Sequence, residues 1–191
     1  MYINKSKQSI GTPKEHILIV KQCLAGNKGS EFQLYELYSK ALFNTCLRML
    51  NSESDAEDIL QETFVKIFKN LKSYNTASNF YTWANRIAIN SCINHQNKKS
   101  IDYTLDYGHE IEMRPAEDSY SEEEVQLTVE SVNRGIRQLP NGYREILSLY
   151  LLEGYDHREI SEILDISEST SKSQYARAKK KLRTLIQRNH G

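Results

Sequence analysis

The stretch Asp156-His157-Arg158-Glu159-Ile160-Ser161-Glu162-Ile163-Leu164-Asp165-Ile166-Ser167-Glu168-Ser169-Thr170-Ser171-Lys172-Ser173-Gln174-Tyr175-Ala176-Arg177-Ala178 decides how the chain is read. Asp156 followed by Glu159 is a capping box, in which each side chain satisfies a backbone N–H that a helix start leaves free. It opens a short helix, His157–Leu164. Asp165–Ser167 then form a tight turn, and Ser167 can cap a long final helix, about Glu168–Gln187. Short helix, three-residue turn and long helix are the layout of a helix-turn-helix.

The final helix has two faces. Ser171, Tyr175, Ala178, Leu182 and Leu185 recur at steps of three and four, and that face packs inward. Ser169, Lys172, Ser173, Ala176 and Lys180 lie opposite, with Arg177 near the edge. From Lys172 to Arg188 there are seven basic residues and no acid. A solvated helix end explains cations too, since they complement the helix dipole. The capped short helix in front favours DNA: a basic face with small residues near its start can lie in the major groove. Lys and Arg attract phosphates and bond guanine edges, and Ser bonds several bases. His157 reads as a solvated first-turn residue.

Working outward, Val129, Val132, Ile136 and Leu139 form an apolar stripe ended by Pro140. Ile146, Leu149 and Tyr150 form another, stopped by Gly154. Residues 1–16 are polar. From Ile17 to Asn97 the helical period returns: Leu34, Leu37, Tyr38, Ala41, Leu42 and Leu50; then Leu60, Phe64, Ile67, Phe68 and Leu71; then Phe80, Trp83, Ile87 and Ser91. The breaks are polar, at Asn51–Ser54 and Ser73–Ser78, and Ser54 with Glu57 is the expected cap of the second stripe. No strand alternation, hairpin turn or internal repeat is visible. Residues 98–124 have no sustained period, and Gly108 and Pro115 interrupt any helix. The expected fold is all-α: two small helical domains, 17–97 and 125–191, joined by an acidic flexible linker over 98–124, the second domain a helix-turn-helix.

Charge follows the same division. The 191 residues carry 25 basic and 25 acidic side chains, a net charge of zero. Residues 1–97 hold 11 basic and 8 acidic, net +3; residues 98–124 hold 3 and 9, net −6; residues 125–191 hold 11 and 8, net +3. Two mildly basic blocks flank an acidic one, a pattern the total conceals. Hydrophobic residues make up 39%, without a run long enough to span a bilayer. The first twenty residues lack the long apolar core of a secretory leader. Three widely spaced cysteines, Cys23, Cys46 and Cys92, make neither a disulfide framework nor a CxxC motif. A reducing, cytoplasmic setting is expected.

Two further constellations carry chemistry. Glu53, Asp55, Glu57, Asp58 and Glu62 occur without a base among them. Acids favour a helix start, which explains several, and a docking face for a basic partner is the functional alternative. A polar loop then leads into Phe80, Tyr81, Trp83, Arg86, Asn90, Asn94, Lys98 and Lys99. Rings beside cations and amides suit single-stranded nucleic acid, whose bases stack while its backbone is held. Phe80 and Trp83 read as partly core, and the loop before them as the better contact. Cys92 with His95 gives only two ligands, too few for zinc. No phosphate-cradling loop and no acid–metal cluster is present, so no catalytic residue, metal, cofactor or small-molecule substrate is expected.

The order of these parts resembles the extracytoplasmic-function (ECF) sigma factors of the sigma-70 family. Asp55-Ala56-Glu57-Asp58-Ile59-Leu60-Gln61-Glu62-Thr63-Phe64 is similar to the family's region 2.2. Phe80-Tyr81-Thr82-Trp83 with Arg86-Ile87-Ala88-Ile89-Asn90 is similar to regions 2.3 and 2.4. Leu139-Pro140, Arg144, Glu159–Leu164, Ile166-Ser167, Thr170, Arg177-Ala178 and Leu182 are similar to region 4. The resemblance covers about residues 17–190 and implies a factor that binds core RNA polymerase and directs promoter-specific initiation.

In that resemblance, the first domain docks on the clamp helices of the polymerase β′ subunit and melts the −10 element. The second binds the β flap and reads the −35 element. The acidic linker threads toward the RNA exit path, and an anti-sigma factor is the implied regulator. Polymerase docking is carried over to Asp55, Asp58, Gln61, Glu62 and Phe64. Promoter contact is carried over to Ser78, Asn79, Phe80, Trp83, Arg86 and Asn90 for −10, and to Ser169, Lys172, Ser173, Arg177 and Lys180 for −35.

Five positions depart from the family pattern. Ser171 stands where Val is usual, so the small core loses apolar packing. Gln174 stands for Arg. Asp165 stands for Gly in the turn, and Asp tolerates the left-handed conformation. Ala84 and Asn85 follow Trp83 in place of a large apolar residue and an aromatic. The competing reading is a stand-alone helix-turn-helix regulator, which needs a dimer to match two half-sites, and no heptad seam supplies one.

Overall fold

The computed structural model describes residues 13–102 and 129–188. Among them every regular element is helical, and the chain divides into two compact units, one ending at Asn94 and the other starting at His95. Residues 103–124 of the expected linker lie outside the described residues.

The first unit holds α1 (Pro13–Leu24), α2 (Lys28–Leu50), α3 (Glu53–Asn70), one 3-10 turn (Leu71–Ser73) and α4 (Phe80–Asp102) as far as Asn94, the last residues of α4 falling in the second unit. Helix α1 starts four residues before the expected Ile17. Pro13 takes its first position, where the missing N–H has no intrahelical partner to lose. Asn27 caps α2, its side chain accepting from the Ser30 amide at 3.2 Å. Asn51 closes α2 in the left-handed conformation, φ 54°, and its N–H donates to Leu47 O. The cap of α3 is Ser52, whose Oγ accepts from the Asp55 amide at 3.3 Å. The expected cap, Ser54, lies inside the helix instead. Asn51 ends α2 so sharply that the next residue must already satisfy the free amides of α3.

Leu34, Tyr38, Leu42 and Met49 of α2 are buried, as are Ile59, Leu60, Phe64 and Ile67 of α3 and Phe80, Ala84, Ala88, Ile89 and Cys92 of α4. Burying a side chain of the Leu or Ile class stabilises by roughly 1.5–3 kcal/mol. Helix α4 runs through Asp102, so the first residues of the expected linker, 98–102, are helical. No Gly or Pro follows Asn97 until Gly108, and nothing in the backbone stops the helix at 98.

The second unit holds α5 (Val129–Arg137), α6 (Asn141–Leu147), a π-helical segment (Ser148–Leu152), α7 (His157–Leu164) and α8 (Glu168–Arg188). Ile136, Leu139, Leu147, Ala178, Leu182 and Ile186 form its core, edged by Val132, Tyr143, Leu152, Tyr175 and Leu185. Gly135 lets α5 approach α8: a Cβ there would stand 2.6 Å from Leu182 Cδ1. Arg144 is buried, and its guanidinium donates to Leu139 O at 2.9 Å, a carbonyl just past α5. It also donates to Arg137 O at 3.5 Å, an acceptor that the end of α5 leaves free.

The π segment corrects one expectation. Its wider turn rotates the apolar stripe, so Ile146 and Leu149 are buried while Tyr150 is exposed. After it, Gly154 takes φ +80° and the chain enters α7.

Candidate polymerase and nucleic-acid interfaces

The helix-turn-helix is built as its sequence dictates. Asp156 Oδ1 accepts from the Glu159 amide at 2.8 Å, and Glu159 Oε2 accepts from the Asp156 amide at 2.9 Å. Asp165 adopts φ 54° and ψ 48°, the left-handed residue the turn needs. Its N–H and that of Ile166 both return to Ser161 O, which closes α7. Ser167 Oγ accepts from the Thr170 amide at 3.0 Å and caps α8.

On α8, Ser169, Lys172, Ser173, Ala176, Arg177 and Lys180 are all exposed, while Ser171, Ala178 and Leu182 are buried. The expected faces are therefore the observed ones. Their hydrogen bonding refines the picture. The Ser169 hydroxyl lies 2.8 Å from Ser167 Oγ and belongs to the cap network. Lys172 Nζ pairs with Glu168 Oε1 at 2.6 Å, one turn back. That hydrogen bond and charge hold the Glu168 carboxyl below its ordinary range. Ser173 Oγ donates to Thr170 O at 3.0 Å and keeps its lone pairs for an incoming donor. Lys179 lies over the Tyr175 ring, 5.5 Å from its centroid.

His157 is not a solvated first-turn residue. Its Nδ1 lies 3.0 Å from the buried Ser171 Oγ. Its ring stacks on Tyr150 at 4.7 Å and meets the edge of Tyr175 at 5.4 Å. Ser171 on a buried face was the signal for this contact, because a buried hydroxyl requires a partner.

In the first unit, Asp58, Gln61 and Glu62 are exposed on one face of α3, and Asp55 is half-buried. Glu62 Oε1 pairs with Lys66 Nζ at 2.6 Å, and the same ammonium donates to Ser91 Oγ of α4 at 3.0 Å. Phe64 does not share that face. It is 4% exposed, with its ring 4.8 Å from Tyr35. It packs beneath the acidic face. Sequence reasoning missed Val65, which is 51% exposed on α3 one turn beyond Gln61, and Phe32 of α2, which is 60% exposed.

The loop before α4 is ordered by its own polar groups. Tyr74 Oη donates to Ser78 O at 2.6 Å, Ser78 Oγ to Asn75 O at 2.7 Å, and the Thr82 amide to Asn79 Oδ1 at 3.3 Å. Ser78 and Asn79 are exposed. Phe80 is not: at 3% exposure it is wedged among Tyr38, Tyr74 and Trp83, with centroids 4.8, 5.2 and 5.6 Å away. It is a core anchor that fixes where the loop emerges. Trp83 is half-buried, and Arg86 and Asn90 are exposed at helical spacing from it. Asn79, Trp83, Arg86 and Asn90 thus share one side of α4. Among the described residues no group of three His, Cys, Asp or Glu could hold a metal, and Cys23, Cys46 and Cys92 are buried and form no disulfide. No helix among them is long and apolar enough to cross a membrane.

An acidic helix face, an ordered loop opening a helix with a half-buried Trp and exposed Arg and Asn, and a capped helix-turn-helix are the parts of a two-part DNA-binding protein. Known proteins share that order. Residues 34–100 match the Sigma-70 region 2 family model, and residues 130–182 match the model of Sigma-70, region 4. The chain is 30% identical over 176 residues to the ECF RNA polymerase sigma factor SigW of Bacillus subtilis, across 87% of this chain and 94% of that protein. It is 28% identical over 185 residues to the RNA polymerase sigma-H factor of Pseudomonas aeruginosa, across 92% of this chain and 96% of that one. Among solved structures, the sigma factor RpoE of Bartonella quintana, bound to the anti-sigma factor NepR, shares the fold with a TM-score of 0.55 and 22% identity over 81% of this chain and 95% of that one. The chain belongs to the ECF sigma factors of the sigma-70 family, alternative sigma factors that direct transcription initiation. These relatives are sigma factors, not enzymes.

Proposed function

We propose that the chain docks on the β′ clamp helices of core RNA polymerase through the exposed face of α3, with Asp58, Gln61 and Glu62 as contacts and Val65 at its end. The first domain melts the −10 element, presenting Ser78 and Asn79 from the loop and Trp83, Arg86 and Asn90 from α4 to the exposed bases and backbone. The second domain binds the β flap and lays α8 in the major groove of the −35 element. There Lys172 and Ser173 read bases, and Arg177 contacts base or phosphate. Lys180 holds phosphate, and Ser169 orders the cap. The acidic stretch from residue 103 to 124 occupies a positively charged nucleic-acid path until RNA displaces it. An anti-sigma factor regulates the chain, which works in the cytoplasm and performs no catalysis of its own.

The observation that carries this reading is the exposed face of Lys172, Ser173 and Arg177 on a helix capped by Ser167, behind a closed turn. The test is gel filtration of the purified chain with purified core polymerase. A stoichiometric one-to-one complex is expected. A chain that elutes apart from polymerase and binds a paired-half-site duplex as a dimer contradicts it.

A further inference from the structure

We propose that His157 is a positioning residue for the base-reading end of α8, acting through Ser171. The inference rests on the reading of α8 as the −35 helix. Four observations carry it. Ser171 is fully buried, and it directly precedes Lys172 and Ser173 in the chain. Its hydroxyl meets Nδ1 of His157, the first residue of α7, at 3.0 Å. The imidazole cannot turn freely, because Tyr150 stacks on it at 4.7 Å and an edge contact with Tyr175 lies at 5.4 Å. Tyr150 and Tyr175 also meet each other at 4.4 Å.

The location gives the contact its function. The apolar core takes its buried α8 members from Ala178, Leu182 and Ile186, all beyond the first two turns. The first two turns are the part that enters a groove. There the pattern Ser171, Tyr175 replaces aliphatic packing with a hydroxyl and a phenol ring. A serine inside a helix ordinarily bonds back to the carbonyl four residues earlier, which bends the helix. Here the Ser171 hydroxyl meets a ring anchored on the neighbouring helix, so the contact ties α8 to α7 at that point. The rotation of α8 about its axis, and hence which atoms of Lys172 and Ser173 face a base edge, depends on that tie.

The test is transcription by core polymerase with each variant, on a promoter library randomised across the −35 element. Wild type, His157→Phe, Ser171→Ala, the double variant and Lys172→Ala are compared. His157→Phe keeps a ring between the two tyrosines and removes the hydrogen-bonding nitrogen. It is expected to reorder −35 preference and to lower output from the best promoters about fivefold or more, the size of a lost base contact. Ser171→Ala should shift preference in the same direction. The double variant should be no worse than His157→Phe alone, as coupled residues require. Hydrogen exchange of the α8 amides distinguishes a repositioned helix from an unfolded one, and Ser171→Ala is the milder variant if His157→Phe unfolds the domain. If Lys172→Ala reorders preference while both His157→Phe and Ser171→Ala keep the wild-type ranking, the proposal is overturned and the −35 reading stands. Effects of the two substitutions that simply add also overturn it. If Lys172→Ala leaves the ranking intact as well, the −35 reading fails and the proposal falls with it.

Discussion

Lys172 and Glu168 hold each other at 2.6 Å across one turn of α8, on the face assigned to the −35 element. Both side chains are well exposed, so the pair is weak and open to exchange. In the free protein the carboxylate masks the cation. In the proposed reading of α8 as the −35 helix, the ammonium leaves Glu168 for a guanine edge or a phosphate on DNA. Glu168→Gln is therefore expected to tighten holoenzyme binding to promoter duplex and steepen its salt dependence by about one charge. Titration of binding against salt checks this. An unchanged slope would place the pair off the DNA.

In the same proposed reading, base reading and phosphate holding separate along α8. Losing a base contact costs about 1–3 kcal/mol and relaxes preference at one position. Losing a phosphate contact weakens all promoters alike. Lys172→Ala and Ser173→Ala should thus change −35 preference, while Lys180→Ala or Lys181→Ala should lower affinity uniformly. Arg177→Ala should do some of both. Affinities for promoters that differ only in the −35 element, measured for each variant, check the division.

The exposed acids of α3 give a prediction for docking. Asp58→Lys with Glu62→Lys should abolish binding to core polymerase. Exposed charge changes usually alter stability by under about 0.5 kcal/mol, although Glu62 also loses its Lys66 partner. Circular dichroism should stay unchanged while co-elution with polymerase is lost. Full co-elution would remove α3 from the interface.

Packing of the second domain turns on Gly135. A methyl group there would meet Leu182 Cδ1 at 2.6 Å. Gly135→Ala should force α5 off α8 and cost about 1–3 kcal/mol, as overpacking does. Amides of α8 should exchange faster, while those of α3, in the other unit, should not. Unaltered protection in α8 would show that Leu182 can move aside at little cost.

Much of this architecture was readable from short-range rules. The Asp156–Glu159 box, the left-handed Asp165 and the Ser167 cap are local arrangements, and they stand where their spacing put them. What failed depended on neighbours. Ser52 and Ser54 are equal candidates by type, and the abrupt end of α2 at Asn51 chose between them. Tyr150 left its stripe because the π segment broke the three-and-four period. The covering of Phe64 was not legible either, because the ring against it, Tyr35, comes from another helix, whereas Phe80, expected to be partly core, packs on Tyr38. His157 was missed because its partner is fourteen residues away, though the buried polar Ser171 pointed to one.

As proposed, this chain turns core polymerase into a promoter-specific enzyme complex. The most direct test is transcription of genomic fragments by purified core polymerase with and without the chain, followed by mapping of the RNA 5′ ends. New start sites that appear only with the chain and share two upstream sequence elements at one fixed spacing are expected. Start sites that are the same with and without it would contradict the account.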